Sequence, residues 1–367
     1  MREVVRRAGQ RFMIGFEGTA ASADVKHLIR DFGVGQIVLF SRNVDRPEQV
    51  ADLVRELQGI ARDAGHDMPL LIAVDQEGGR VARLREPWTL WPPLRALGLT
   101  GSEDVARRVG RALAHELSSC GIRYDFAPVM DVDTNPRNPV IGDRSFGSDP
   151  ELVARLGVAM IRGLQDGGVA ACAKHFPGHG DTDVDSHLDL PTVDHGHSRL
   201  EDVELRPFRK AIEAGVASIM TAHVLVRELD DRLPATLSPR ITEELLRKEM
   251  KFPGVIVADD LEMKGVAGRF GPEPAAVLAA KAGCDLLPVC KSPDAQVMSI
   301  EALVRAVEAE EISWASMDDA ADRIRRLKER FVLPHRDPDP KDARRTAGLG
   351  EHRLLAEQIA SGSGIRA

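Results

Sequence analysis

The feature that most constrains the fold is the alternation of eight short apolar runs with longer segments of helical periodicity. The runs lie at residues 11–16, 35–40, 69–75, 122–128, 169–174, 217–222, 254–259 and 284–289. Between them, as in residues 47–63 and 103–119, apolar side chains recur every three or four positions, which is typical of amphipathic helices. Strands that alternate with helices form parallel sheets through crossover connections. Eight such units predict an α/β fold with a single (β/α)8 barrel of the TIM type.

Local signals place the boundaries of several helices and argue against an open doubly wound sheet. Ser102 precedes the acidic pair Glu103 and Asp104, a combination typical of a helix start. Gly65 and Gly121 close periodic segments, as glycine does at helix ends. Neither GxGxxG nor GxxxxGK[ST] follows any of the apolar runs, so the usual signature of nucleotide-binding open sheets is missing.

The chain changes character after residue 332. The segment VLPHRDPDPKDARR, residues 332–345, is rich in Pro, Asp and Arg without apolar periodicity, which indicates a linker. Residues 351–367 predict one short amphipathic helix followed by a flexible Ser/Gly terminus. We therefore expect a (β/α)8 domain over residues 1–332, which would carry any active site, and a tail over residues 333–367.

Composition excludes several classes of function. The net charge is −8 with acids and bases interspersed, whereas a nucleic-acid-binding protein would carry a basic face. Aromatic residues make up only 4% of the chain, which leaves little material for base-stacking platforms or long sugar-binding clefts. The partner expected from this composition is therefore a small molecule and no nucleic acid.

Cysteine usage and hydropathy indicate a cytoplasmic protein. The four cysteines lack CxxC spacing and are interpreted as buried free thiols of a reducing compartment: Cys120, Cys172, Cys284 and Cys290. The apolar stretch near the N-terminus is too short for the core of a signal peptide, and no apolar run reaches 18 residues. We expect no membrane contact.

Charged side chains follow most of the apolar runs, where the catalytic groups of a (β/α)8 barrel lie. They are Asp75, Glu77, Arg80 and Arg83 after the third run, Asp131, Asp133, Asp143 and Arg144 after the fourth, Lys174 and His175 in the fifth, His223 after the sixth, and Asp259 and Asp260 after the seventh. Charges at so many strand ends predict a site at this face of the barrel.

The richest stretch, KHFPGHGDTDVDSH at residues 174–187, resembles a metal site only superficially. Its proline and glycines exclude a regular helix, so His175 and His179 do not form a helical i, i+4 ligand pair. A calcium loop would need Gly where Ser186 stands and Glu where Thr192 stands. The sequence therefore predicts no metal and no cofactor. The plainest alternative is a solvated acidic loop.

Asp185 and His187 support a catalytic interpretation of the same stretch. They are two residues apart, so the carboxylate can reach the imidazole, orient it and raise its basicity. This arrangement suits a histidine that shuttles protons.

With this stretch, the chain resembles glycoside hydrolase family 3, specifically its bacterial β-N-acetylglucosaminidase branch. Similar motifs occur in the expected order over about residues 10–332. They are LFSRN (39–43), VDQEGGRVARL (74–84), FAPVMDV (126–132), GDRSFGSDP (142–150), MTAHV (220–224), PATLSP (234–239), FPGVIVADDLEM (252–263) and AGCDLLPVC (282–290). The stretch at 174–187 is specific, whereas IVADDLEM alone would be weak.

The resemblance implies a retaining exo-β-N-acetylglucosaminidase and assigns roles to eight residues. Asp259, the first acid of the DD pair, matches the catalytic nucleophile, His187 the acid/base, and Asp185 the partner of that histidine. Five positions match groups that hold the hydroxyls of the terminal sugar: Asp75, Arg83, Arg144, Lys174 and His175. The implied substrate is a terminal β-linked GlcNAc, expected on muropeptide fragments in cell-wall recycling.

The chain also departs from the pattern of many family members, which carry a second α/β domain. Residues 352–360, HRLLAEQIA, resemble the helix that opens that domain. We therefore expect the acid/base to come from the barrel, as Asp185 and His187 would supply it. Because related β-glucosidases rely on an acid from the second domain, the pair favours N-acetylhexosamine over glucose.

Several alternatives remain open at this stage. The scaffold also suits a phosphorylase, since a neutral histidine does not repel phosphate as a carboxylate would, and the His/Asp cluster suits a metal-dependent barrel hydrolase. A sugar-binding barrel without catalysis is a third possibility. Individual residues with open interpretations are Asp260 (loop cap or nucleophile), Glu77 and Arg80 (a mutual ion pair), Trp88 and Trp91 (site lining or loop plug), His195 and His197 (surface loop) and His223 (uncommitted).

Overall fold

The computed structural model describes residues 2–182 and 190–362 of the chain and contains the eight predicted strands. They are β1 (Phe12–Ile14), β2 (Gln36–Leu39), β3 (Leu71–Val74), β4 (Tyr124–Asp125), β5 (Ala170–Phe176), β6 (Ser218–Thr221), β7 (Val255–Val257) and β8 (Leu287–Val289). Each overlaps one of the eight apolar runs, so the number and position of the strands agree with the sequence prediction.

The eight strands form one parallel sheet that closes on itself. Their order is β7-β6-β5-β4-β3-β2-β1-β8, and each strand is parallel to its neighbours in this order. The ring is completed between β7 and β8 by a parallel bridge from Val257 to Leu286. The Ala258 amide also donates to the Leu286 carbonyl at 3.0 Å. The predicted (β/α)8 barrel is therefore confirmed.

Helices surround the barrel and follow the predicted pattern. In chain order they are Arg2–Gly9, Ala23–Asp31, Pro47–Asp63, Leu94–Thr100, Glu103–Ser119, Pro150–Asp166, His197–Arg199, Leu200–Glu204, Arg206–Glu213, Arg240–Glu249, Lys264–Phe270, Pro272–Ala282, Pro293–Glu308 and Trp314–Phe331. The predicted cap is present, since the Ser102 hydroxyl accepts a hydrogen bond from the Val105 amide. In the part of the chain that the structure describes, no helix is long and apolar enough to cross a bilayer.

Two apolar layers hold this architecture together, one between strands and helices and one inside the barrel. Alternate residues of each strand point inward, so Met13, Val38 and Leu71 fill the barrel interior. Helix Trp314–Phe331 contributes Leu327 and Phe331 to the same interior cluster, which closes the end of the barrel opposite the carboxyl ends of the strands. The carboxyl end is left open for a site.

The segment after residue 332 contains two helices, Pro340–Thr346 and Gly350–Ser361, which pack against the barrel. The buried Glu116 carboxylate contacts the beginning of the second helix and so attaches it to the barrel. Its Oε1 accepts hydrogen bonds from the Gly348 amide at 3.0 Å and the Thr89 hydroxyl at 2.6 Å, and lies 3.2 Å from His352 Nδ1. The tail is thus joined to the loop that precedes helix Leu94–Thr100.

Candidate active site

Because side chains alternate between the two faces of a strand, three predicted site residues point into the open end of the barrel. Inward-facing Ala73 on β3 is followed two positions later by Asp75, and inward-facing Cys172 on β5 by Lys174. On β7, inward-facing Val257 is likewise followed two positions later by Asp259. Because side chains two apart share one face of a strand, all three reach the same central space.

These side chains surround a cavity of about 310 Å³ at the carboxyl ends of the strands. Its lining combines charged groups with apolar ones: Val38, Phe40, Asp75, Glu77, Val81, Arg83, Phe126, Val140, Arg144, Lys174, His175, His179, Met220, Asp259, Asp260, Met263, Pro288 and Cys290. The volume lies at the lower end of the range found for small-ligand sites. One sugar ring is a suitable occupant.

Lys174 contacts both acidic side chains at the centre of the charged lining, Asp75 and Glu77. Its ammonium lies 2.9 Å from Asp75 Oδ1 and 2.6 Å from Glu77 Oε1, and its side chain is only 3% exposed. Asp75 Oδ2 is also held by Arg83 Nη2 at 3.1 Å. A buried ammonium between two carboxylates holds both in fixed orientations, because neither can turn away without leaving a buried charge unpaired.

Glu77 binds a second cation on its other side. The guanidinium of Arg144 donates to it through both Nε at 2.8 Å and Nη2 at 2.7 Å, a bidentate geometry. The open interpretation that Glu77 pairs with Arg80 is therefore wrong, and Arg80 instead pairs with Asp143, with 3.5 Å between Nε and Oδ1. Glu77 was missed as a site residue, although its position two residues after Asp75 was the signal that could have identified it.

The cations keep this cluster ionised. Burial alone would raise the pKa of Asp75, but Lys174 and Arg83 outweigh it and hold the pKa well below its usual range. Burial likewise opposes ionisation of Glu77, and Arg144 and Lys174 nevertheless lower its pKa to about 2. Near neutral pH both groups are therefore hydrogen-bond acceptors only, suited to the hydroxyl donors of a sugar.

Another buried carboxylate, Asp131, holds His175 and His179, which lie at the end of β5 and in the segment that follows it. It accepts from the His175 ring through Nδ1 at 2.7 Å and from the amide of His179 at 2.7 Å. Burial would raise the pKa of Asp131, but the two histidines outweigh it and lower the pKa. Asp131 therefore fixes the orientation of His175, which lines the cavity.

Asp259 and Asp260 differ in their surroundings. The Asp260 amide donates to Asp259 Oδ1 at 2.8 Å, and the Asp260 carbonyl lies 3.0 Å from His223 Nε2. Burial raises the pKa of the Asp260 carboxyl group to about 7, so a large share of it is protonated at neutral pH. A protonated carboxyl is a poor nucleophile, which favours Asp259 over Asp260 for that role.

The structure brings together six of the eight predicted site residues, since all five sugar-binding candidates line the cavity with Asp259. Asp185 and His187 lie outside the described residues. Three residues whose role the sequence left undecided do not line the cavity. Trp88 and Trp91 are 2% and 5% exposed and belong to the core, and His195 pairs with Asp181. Over residues 2–182 and 190–362, no three His, Cys, Asp or Glu side chains are grouped so as to hold a metal ion.

Comparisons with known proteins agree with this arrangement. Residues 4–327 match the model of the glycosyl hydrolase family 3 N-terminal domain. The chain is 36% identical to a β-hexosaminidase A of Pseudoalteromonas piscicida over 93% of this chain and 60% of that protein. It is 41% identical to a β-hexosaminidase of Thiobacillus denitrificans over 77% of this chain and 78% of that protein.

Solved structures give the same result. A family 3 β-N-acetylglucosaminidase from Paenibacillus superposes with a TM-score of 0.93 and 43% identity, covering 98% of this chain and 68% of that one. NagZ from Neisseria gonorrhoeae, solved with N-trifluoroacetyl-D-glucosamine, superposes with a TM-score of 0.78 and 33% identity. That match covers 96% of this chain and 97% of the other.

Proposed function

Since this chain belongs to glycosyl hydrolase family 3, we propose that it is a retaining exo-β-N-acetylglucosaminidase that removes a terminal GlcNAc. The observation that carries the proposal is the cavity in which Asp259 shares one space with Asp75, Arg83, Arg144, Lys174 and His175. The relatives named β-hexosaminidase and β-N-acetylglucosaminidase support this substrate class.

Asp259 acts as the nucleophile. Its carboxylate attacks the anomeric carbon, the glycosidic C–O bond breaks, and a glycosyl-aspartate ester forms. One oxygen of Asp259 is already fixed by the Asp260 amide, so the carboxylate is held in one orientation before the substrate binds. Water then attacks the same carbon and releases the sugar with the anomeric configuration of the substrate.

His187 supplies the proton transfers, with Asp185 as its partner. The imidazolium protonates the departing glycosidic oxygen in the first step, and the neutral imidazole takes a proton from water in the second. A histidine can do both near neutral pH because its ordinary pKa is about 6.5. This assignment is supported by the match of residues 174–187 to the family motif.

Asp75, Arg83, Arg144, Lys174 and His175 bind the hydroxyl groups of the sugar. Asp75 is the acceptor of this set, and Glu77, held with it by Lys174, adds a second acceptor, while the cations and His175 act as donors. Since this polar lining is concentrated in one cavity of about 310 Å³, the site accommodates the end of a glycan better than its interior. That geometry supports exo action.

The natural substrate we propose is the terminal GlcNAc of muropeptide fragments, processed in the cytoplasm during cell-wall recycling. Its support is the likeness to NagZ and the four cysteines, which are all buried and unpaired as expected in a reducing compartment.

A substrate comparison tests the proposal. Turnover of aryl β-GlcNAc and aryl β-glucoside substrates is measured with and without phosphate, and EDTA-treated enzyme is included. We expect hydrolysis of the GlcNAc substrate to dominate, with free GlcNAc as product and no loss after EDTA treatment. Sugar 1-phosphate as the main product would instead identify a phosphorylase, and activity that requires metal would identify a metal-dependent hydrolase.

A further inference from the structure

Gln76 lies in the chain between two acidic residues that line the candidate active site, Asp75 and Glu77, but it does not line the cavity itself. It is buried, with only 3% of its surface exposed. A buried amide must find its hydrogen-bond partners within the protein, because leaving them unmade costs free energy. The partners of Gln76 therefore identify the segment that it holds.

The side chain of Gln76 binds the backbone of two residues further along the chain. Its Oε1 accepts hydrogen bonds from the amides of Arg83 at 2.9 Å and Leu84 at 3.0 Å, and its Nε2 donates to the Leu84 carbonyl at 2.8 Å. Gln76 belongs to a hairpin in which it pairs with Ala82, the last residue of the second strand. Beyond Ala82, the side chain takes the place of a neighbouring strand as the hydrogen-bond partner.

The backbone of Gln76 is fixed independently of this side chain. Its amide donates to Asp125 Oδ1 at 2.9 Å, and Asp125 is a completely buried residue of β4. Gln76 thus makes one hydrogen bond to a barrel strand and three to residues 83–84. It therefore fixes the segment that follows the hairpin relative to the wall of the barrel.

The cavity-lining side chain that depends on this arrangement is that of Arg83. Its Nη2 lies 3.1 Å from Asp75 Oδ2, and its Cζ lies 5.7 Å from the centroid of the Phe40 ring, which also lines the cavity. The side chain of Arg83 is 28% exposed, so packing restrains it less than it restrains the buried Lys174. A ligand-binding group keeps its geometry only when the residues that support it are themselves fixed.

We propose that Gln76 is a positioning residue of the sugar-binding site and acts through Arg83. The inference rests on the proposed function, in which Arg83 binds a hydroxyl group of the terminal sugar. Loss of the Gln76 side chain would release the backbone of residues 83–84, so Arg83 would have to be ordered when the sugar binds. The free-energy cost of that ordering would weaken substrate binding.

The kinetics of a matched pair of variants test this proposal. Gln76→Met keeps the approximate length of the side chain and removes its hydrogen bonds. Gln58→Met is the control, because Gln58 is 2% exposed and makes similar contacts outside the cavity. Its side chain donates to the Leu70 carbonyl and accepts from the Leu70 amide, each at 2.9 Å. KM and kcat for an aryl β-GlcNAc, and Tm, are measured for the full chain and for both variants.

We expect both variants to lower Tm, since each leaves buried peptide groups without partners. Only Gln76→Met should raise KM, by about tenfold, as for the loss of one hydrogen bond to a charged group. In an Arg83→Ala background, adding Gln76→Met should change kcat/KM by less than about twofold, because the group through which it acts is already missing. If Gln76→Met does not fold, Gln76→Asn and Gln58→Asn replace the pair, since the shorter amide cannot make the same set of bonds.

An unchanged KM in the Gln76 variant, or an equal rise of KM in both variants, would reduce Gln76 to a contribution to stability and overturn the proposal. The full effect of Gln76→Met in the Arg83→Ala background would also overturn it, since the side chain would then act elsewhere. Absence of turnover in the unchanged chain would instead overturn the proposed function, and this inference with it.

Discussion

The ammonium of Lys174 lies 2.6 Å from Oε1 of Glu77, and both side chains are almost completely buried beside the nucleophile candidate. Lys174 comes from β5 and Glu77 from the short strand Gln76–Gly78, so the contact joins two separate segments of the barrel mouth. Through Arg144, the same glutamate also reaches the loop after β4. One carboxylate therefore fixes three segments that carry predicted sugar ligands.

Replacing Glu77 by Gln should weaken both the fold and sugar binding. The substitution keeps the shape but leaves Lys174 and Arg144 with one fewer buried negative charge, which typically costs about 3 kcal/mol of unfolding free energy. Chemical denaturation measures this loss, and KM for an aryl β-GlcNAc should rise in parallel. In Asp143→Asn, which alters the exposed pair with Arg80, the change should stay below about 1 kcal/mol. A similar loss in both variants would contradict the role given to Glu77.

His187→Ala should affect substrates according to their leaving groups. Aryl glycosides with acidic phenols need little protonation at the departing oxygen, whereas alkyl glycosides need it fully. We expect a small loss of kcat/KM on the former and a large loss on the latter, measured across a leaving-group series. His197→Ala, at an exposed histidine outside the cavity, is the matched control. A uniform loss across the series would argue against His187 as the acid.

Acid should destabilise the protein through His179. Burial, assisted by the nearby charge of His175, lowers the pKa of this histidine from 6.5 to about 4. Between these values the unfolded chain binds the proton and the folded chain does not, so stability falls as the pH falls from 6.5 to 4. The expected loss attributable to His179 is on the order of 3 kcal/mol.

The variant His179→Gln should remove this part of the pH dependence. Denaturation at pH 7 and at pH 4 measures it, with the exposed His27→Gln as control. A slope that persists unchanged in His179→Gln would show that other groups are responsible. Carboxylates with lowered pKa values, such as Glu77, act at still lower pH, because their contribution is lost only as the pH falls from about 4 towards 2.

The attachment of the C-terminal helix Gly350–Ser361 to the barrel should depend on His352. Its imidazole Nδ1 lies 3.2 Å from the buried Glu116 carboxylate, which also holds the loop at Thr89. His352→Ala removes that contact and the packing of the ring against Trp91, so helix Gly350–Ser361 should detach more readily. Trypsin should then cleave faster after Arg353, while the exposed Glu357→Ala should leave the rate unchanged. Equal cleavage rates would show that this contact does not hold the tail.

The sequence was sufficient to predict the barrel because its signals are local. Each strand is a short apolar run, and helix starts such as Ser102 carry their own caps. Strand alternation also explains why Asp75, Lys174 and Asp259 converge, since each lies two positions beyond an inward-facing residue. These features follow from periodicity, without knowledge of distant contacts.

The pairing of charges was not predictable in the same way. Glu77 lies three residues from Arg80, yet it binds Arg144 and Lys174, which are 67 and 97 residues away in the chain. The intervening turn requires glycine, because Gly78 has a φ of +99° and a Cβ there would lie 2.7 Å from the Pro92 carbonyl oxygen. Such long-range contacts depend on the closure of the barrel.

The account depends most directly on Asp259 as the nucleophile, and covalent trapping tests this assignment. A fluorinated N-acetylglucosaminyl fluoride should form a slowly hydrolysed ester, which is located by mass spectrometry of tryptic peptides. Residues 252–264 form one such peptide and contain both Asp259 and Asp260. We predict one sugar on this peptide, with fragmentation assigning it to Asp259 and with no label in Asp259→Asn. A label on Asp260, or on any other peptide, would contradict the mechanism.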